Sequence, residues 1–142
     1  MSETPIALIT GASSGIGEAT AKRLARDGCC VALAARRQAE LERVASQITS
    51  AGGQALVVPT DVCDRAAIRR MVQATLDKWG RIDILVNNAG QGYGSRVVKL
   101  EADQVRAQVA VNLVAVIECA QAVLPAMLER QSGHIINIAS IA

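Results

Sequence analysis

The feature that most limits what this chain can fold into is its alternation of short apolar runs with amphipathic stretches. Runs such as Val31-Ala32-Leu33-Ala34 and Ile82-Asp83-Ile84-Leu85-Val86 carry hydrophobic side chains at nearly every position. A strand with one wet face alternates apolar and polar residues, whereas a parallel strand covered on both faces reads as a continuous apolar run. Hydrophobic periodicity predicts strands over 5–10, 29–35, 54–59, 82–87 and 134–139. Helices are predicted over 15–27, 37–51 and 64–79, followed by a loop with Gly90, Gly92 and Gly94 and a long helical stretch within 101–131. Right-handed crossovers between parallel strands then give an open, doubly wound α/β sheet.

The 142 residues, 51% hydrophobic and 20% charged, are one domain's worth and suffice for a real core. A net charge of +2 is too small to draw the chain to nucleic acid or a membrane surface. Trp79 and Tyr93 alone cannot make a base-stacking platform. Cys29, Cys30, Cys63 and Cys119 form no Cys-x-x-Cys pair and read as reduced packing residues, which suits the cytoplasm, and no metal site is expected. Neither a signal peptide nor an uncharged apolar run of membrane-spanning length is expected.

Ligands of open α/β sheets sit at the carboxyl ends of the strands, near the point where strand order reverses. After the first strand, Thr10-Gly11-Ala12-Ser13-Ser14-Gly15-Ile16-Gly17 leads directly into a helix. Its glycines let backbone approach a ligand with no Cβ in the way, and the helix start offers unpaired N–H groups and a positive dipole end, where a pyrophosphate fits. The Gly-x-x-x-Gly-x-Gly spacing departs from the plain dinucleotide fingerprint. After the second strand comes Arg36-Arg37, where an acid would hold the 2′-hydroxyl of NAD and an arginine accommodates the 2′-phosphate of NADP. The two arginines also read as solvated charges partnered by Glu40 and Glu42. Cations are poorly placed at a helix N-terminus, which favours a ligand role for Arg36.

After the third strand, Asp61 either caps the next helix or reaches an adenine amino group. After the fourth, Asn87-Asn88-Ala89-Gly90 reads as two amides that pair with sheet backbone and a Gly that lets a ribose approach, beyond the usual turn-shaping by Asn. Asn112 interrupts an apolar helical stretch. A buried amide must be bonded, so it is either satisfied by its own helix or marks a backbone distortion or water site facing an active centre. His134 stands where the chain enters the last strand, the wrong end for a nicotinamide site, and reads as structural.

The glycine turn at 10–17, Asp61-Val62, Asn87-Asn88-Ala89-Gly90, Asn112 and Ser140, in this order, resemble the short-chain dehydrogenase/reductase family over essentially the whole chain. The resemblance implies a Rossmann-type, three-layer α/β/α fold, with residues 1–142 as one NAD(P)-binding domain corresponding to the N-terminal portion of the family fold. It implies that Gly11, Ser13, Ser14, Gly15, Ile16 and Gly17 hold the pyrophosphate and that Asp61 and Val62 lie along the adenine. Asn88, Ala89 and Gly90 are expected beside the ribose, and Arg36 marks NADP rather than NAD. Asn112 and Ser140 match two members of a catalytic Asn-Ser-Tyr-Lys set for hydride transfer between nicotinamide and an alcohol or ketone.

One departure stands out. The family's Tyr-x-x-x-Lys, whose tyrosine is the acid/base, does not occur in these residues: Tyr93 has Val97 four positions on, and Lys22, Lys78 and Lys99 are not suitably placed. The strands and helices that complete the family's sheet and substrate pocket are likewise not expected here. General acid catalysis supplies about a hundredfold to ten-thousandfold. These residues alone are therefore expected to bind a cofactor without efficient turnover. Family members dimerise through helices like the one over 104–128, where only Arg106 and Glu118 are charged, so a homodimer or homotetramer is expected.

Overall fold

The computed structural model describes residues 3–140. The chain runs β1 (Ile6–Thr10), α1 (Gly15–Arg26), β2 (Cys30–Ala35), α2 (Gln38–Ser50), β3 (Gln54–Pro59), α3 (Arg65–Trp79) and β4 (Ile84–Asn87). A 3₁₀ turn at Val97–Lys99 precedes α4 (Ala102–Val109), a π turn (Ala110–Val114), α5 (Ala115–Glu129) and β5 (His134–Asn137). All neighbouring strands are parallel, in the order β3-β2-β1-β4-β5. The expected doubly wound topology is therefore present, and strand order reverses between β1 and β4, where a crevice must open.

Period-2 alternation explains why both faces of the strands are apolar. Ala7, Ile9, Val31 and Leu33 point to the side covered by Ala21 of α1 and Leu41, Val44 and Ile48 of α2. Leu8, Ala32, Ala34 and Leu85 point to the other side, against Ile68 and Met71 of α3 and Cys119, Val123 and Met127 of α5. The helices thus form the two outer layers, three elements deep with the sheet.

Strand four begins at Ile84, later than the predicted 82. Ile82 is a buried plug, and the Asp83 carboxylate takes the Ile6 N–H at 2.8 Å that a strand carbonyl would have taken. Asp83 also receives Arg81 and Arg130, while its backbone bonds Ile6 and His134, so one residue clamps the amino ends of β1, β4 and β5. His134 sits in this clamp through its backbone and is exposed, as a structural residue. The last strand ends at Asn137 because its partner β4 ends at Asn87.

Helix α3 starts at Asp64, whose carboxylate accepts the Ala66 N–H at 2.9 Å, and stops at Gly80 with φ +77°. This corrects the capping role considered for Asp61: Asp61 instead accepts the Cys63 N–H at 2.9 Å, closing a turn one step earlier. Cys29, Cys30 and Cys119 are buried as expected, whereas Cys63, on that turn, is exposed. From Ala102 to Glu129 the helix is continuous over 28 residues, and an 18-residue window within it has a mean hydropathy of 1.8, the length and composition of a membrane span. Arg106 and Glu118 interrupt it, as the sequence shows, and an inner stripe of Ala115, Cys119, Val123 and Met127 is buried in the fold.

Candidate functional site

A cleft of about 340 Å³ opens over the carboxyl ends of the strands and is lined by the segments that follow β1, β2, β3 and β4. Gly11, Ser13 and Ser14 come from the first segment, Arg36 and Arg37 from the second, Asp61 and Val62 from the third, and Asn88, Ala89 and Gly90 from the fourth. Ten of the residues singled out from the sequence therefore converge. Gly15, Ile16 and Gly17 form the first turn of α1 behind this lining, and Asn112 and Ser140 stand outside it.

The glycine loop is shaped by two different demands. Gly11 (φ +65°) and Gly15 (φ +56°) occupy left-handed backbone that L side chains rarely adopt. Gly17 is needed for space, because a Cβ there would run into the Gly11 carbonyl and the Asn88 amide. At Gly11 a Cβ would lie 2.9 Å from the Ala89 Cα, so β1 and β4 meet backbone to backbone. Ser14, at the helix N-cap, makes no capping bond through its side chain, and the N–H groups of the first turn are left for another acceptor. An uncapped helix start over a cleft suits an anionic group such as a pyrophosphate.

Thr10 and Asn88 hold this geometry. Thr10 Oγ1 accepts the N–H groups of Asn88 and Ala89, each at 3.0 Å, and donates to the Val86 carbonyl at 3.4 Å. Asn88 Nδ2 donates to the carbonyls of Thr10 and Gly11, each at 3.2 Å. Asn87 Nδ2 donates to the Val116 carbonyl and to Asn137 Oδ1. Asn88 thus pairs with sheet backbone as expected, whereas Asn87 reaches the backbone of α5 and the Asn137 side chain instead. The part played by Thr10 was missed, although a hydroxyl at the last position of a strand entering a glycine turn was the signal.

Arg36 and Arg37 are exposed, and among the described residues neither guanidinium has an ion pair or hydrogen bond. Their expected partners are taken, since Glu40 pairs with Arg43 and Glu42 accepts from Gln38. Two unpaired guanidinium groups at a cleft edge suit a phosphate.

Asn112 lies in the π turn, so the backbone distortion considered for it is present. Its amide is not buried and is not satisfied by its own helix. It accepts the Gln91 N–H at 2.8 Å and donates to the Gln91 carbonyl at 2.7 Å, latching the segment after Gly90 to the helix. Ser140 is exposed just beyond β5.

None of the four thiols is an activated nucleophile. Burial pushes up Cys29, Cys30 and Cys63, helped at Cys29 and Cys63 by nearby carboxylates, and pushes Cys119 up to about 12.

A short chain dehydrogenase family model matches residues 5–142. An uncharacterized oxidoreductase of Staphylococcus epidermidis is 40% identical over 137 residues, which is 96% of this chain and 58% of that protein. A metagenomic short-chain oxidoreductase solved in complex with NADP superposes with a TM-score of 0.92 at 40% identity, over 97% of this chain and 63% of that one. An alcohol dehydrogenase from the archaeon Thermococcus sibiricus, complexed with 5-hydroxy-NADP, gives 0.90 at 34% identity, over 95% and 57%. The chain therefore spans 57–63% of the length of these proteins, less than two thirds of each.

Proposed function

Because the chain belongs to the short-chain dehydrogenase family, we propose that its cleft holds NADP and that it serves an NADP-dependent oxidoreductase acting on an alcohol or ketone. The observation that carries the cofactor choice is the pair of unpartnered guanidinium groups after β2, a segment that gives the cleft lining Arg36 and Arg37 and no acid to hold a 2′-hydroxyl. Solved relatives that hold NADP or an NADP derivative support the same choice. In this reading the first turn of α1 and the Ser13-Ser14 backbone hold the pyrophosphate, Asp61 and Val62 border the adenine, and Asn88, Ala89 and Gly90 border the ribose. Bound there, the cofactor supplies or accepts a hydride at its nicotinamide.

Asn112 and Ser140 are proposed as the catalytic residues of this set. Asn112 fixes the Gln91 segment, and Ser140 polarises a carbonyl. Neither is an acid strong enough to protonate a forming alkoxide, so the 142 residues alone are proposed to bind the cofactor and turn over poorly. A nucleotide-binding module without turnover is the second reading, since the cleft is lined by the segments expected to hold the cofactor and neither Asn112 nor Ser140 lines it. NADPH oxidation with a small ketone as acceptor separates the two readings, and the intact mass of the protein from its natural source shows which form the cell makes. We also propose a cytoplasmic protein that associates as a homodimer or homotetramer through the Ala102–Glu129 helix.

Cofactor fluorescence titrations test the central proposal. Arg36→Ala is expected to weaken NADPH by tenfold or more, a phosphate contact being worth about 1.5–3 kcal/mol, and to leave NADH nearly unchanged. Equal losses for both cofactors would refute the choice of NADP, and saturable binding of neither by the unsubstituted protein would refute a dinucleotide site.

A further inference from the structure

Arg43, on α2 and outside the cleft lining, gathers more polar contacts than the cofactor arginines do. Its Nη2 donates to Glu18 Oε2 at 2.8 Å and its Nη1 to Glu18 Oε1 at 3.1 Å, a two-pronged fork from α2 onto the first turn of α1. The same Nη2 reaches the Ser13 carbonyl at 3.4 Å, and Nε donates to Glu40 at 3.0 Å. Lys22 donates to the same Glu18 Oε1 at 2.5 Å. Glu18 thus lies in a cationic grip, and Arg43's hydrogen bond, followed by that of Lys22, holds its carboxyl at about 2, far below the ordinary 4.5.

A carboxylate in the first turn of a helix stabilises the helix but repels an anion at the same N-terminus. Glu18 is part of that turn, its N–H bonding to the Ser14 carbonyl at 3.2 Å, and one guanidinium nitrogen touches both its carboxylate and the Ser13 carbonyl. The negative charge is therefore next to the loop that would carry a pyrophosphate. The Ser13–Ser14 peptide is trans, so an Arg43 that holds the Ser13 carbonyl on its own side turns the Ser14 N–H to the opposite side, where Ser13 and Ser14 line the cleft.

We propose that Arg43 is a positioning residue for the phosphate loop: it neutralises Glu18 beside the anion site and orients the Ser13–Ser14 peptide toward it. This rests on the dinucleotide reading and deepens it. Arg43 acts on the pyrophosphate, common to both cofactors, whereas Arg36 acts on the 2′-phosphate of one. The two arginines therefore have different signatures in binding.

The test is to titrate the unsubstituted protein, Arg43→Met, Glu18→Gln and the double variant with NADPH and with NADH. Arg43→Met should weaken both cofactors by a similar factor, on the order of fivefold to tenfold for an uncompensated charge near a dianion. Adding Glu18→Gln should recover most of that loss, a recovery that a merely structural role for Arg43 would not produce. Glu18→Gln alone, with Arg43 intact, should bind both at least as tightly as the parent, which keeps the idea testable if Arg43→Met folds poorly. Unchanged binding by Arg43→Met, a loss confined to NADPH, no recovery in the double variant, or weaker binding by Glu18→Gln each overturns the proposal while leaving a dinucleotide site standing. An unsubstituted protein that binds neither cofactor overturns both.

Discussion

Single residues in the glycine turn carry distinct physical burdens, which substitutions separate. Gly17→Ala places a Cβ against the Gly11 carbonyl, backbone that cannot rotate away, and overpacking of this kind costs about 1–3 kcal/mol. Gly15→Ala meets open space and pays only for left-handed backbone, about 1 kcal/mol. Urea unfolding should therefore rank Gly17→Ala as the more destabilised, and the reverse order would show that the loop relaxes around the added methyl. The three glycines look alike in sequence. Which is needed for φ and which for space depends on Asn88, 71 positions away from Gly17, and is visible only when β1 and β4 are side by side.

Among the elements, the strand and helix pattern was legible because the central strands β1, β2 and β4 are buried on both faces and so remain apolar runs. The misplaced boundaries have a local cause, the substitution of side-chain for backbone bonding. Asp83 replaces a ladder bond at the start of β4, and Asp64, rather than Asp61, caps α3. Removing the Asp64 carboxylate with Asp64→Ala should cost about 1 kcal/mol in thermal or urea unfolding, the usual value of a cap. Asp83→Ala should cost more, about 2–3 kcal/mol, because it strands the Ile6 N–H and removes the carboxylate that Arg81 and Arg130 share, leaving Arg81 to Glu3 and Arg130 to the Ile82 carbonyl. If both variants unfold at the same urea concentration, Asp83 does not clamp three strands.

For the molecule as a whole, acid stability follows from two carboxylates held below their ordinary values. At Asp83 burial raises the carboxyl, but the Arg81 bond, the Ile6 N–H and the charges of Arg81 and Arg130 together outweigh it; Glu18 lies at about 2. A group depressed in the folded state stabilises fully above its unfolded pKa, about 4 for these acids, and that contribution is lost as pH falls toward the folded value. The urea midpoint should therefore be flat near neutrality and drop between about pH 4 and 2, and Glu18→Gln with Asp83→Asn should flatten that drop. The proposed association acts at the same scale. Val109, Leu113 and Ile117 recur every four residues on the long helix and are 46%, 55% and 50% exposed, so Leu113→Glu with Ile117→Glu should shift a dimer to monomer in analytical ultracentrifugation. The order of strands and helices, the carboxyl-end position of the site and the segments that line it followed from the sequence alone, because burial on both faces and the right-handed crossover leave few alternatives. The tertiary structure decided what each polar side chain is bonded to. Asn112 latches Gln91, Thr10 joins β1 to the end of β4, and Arg43 grips Glu18. Such pairings depend on distances between residues far apart in the chain, and periodicity carries no record of them.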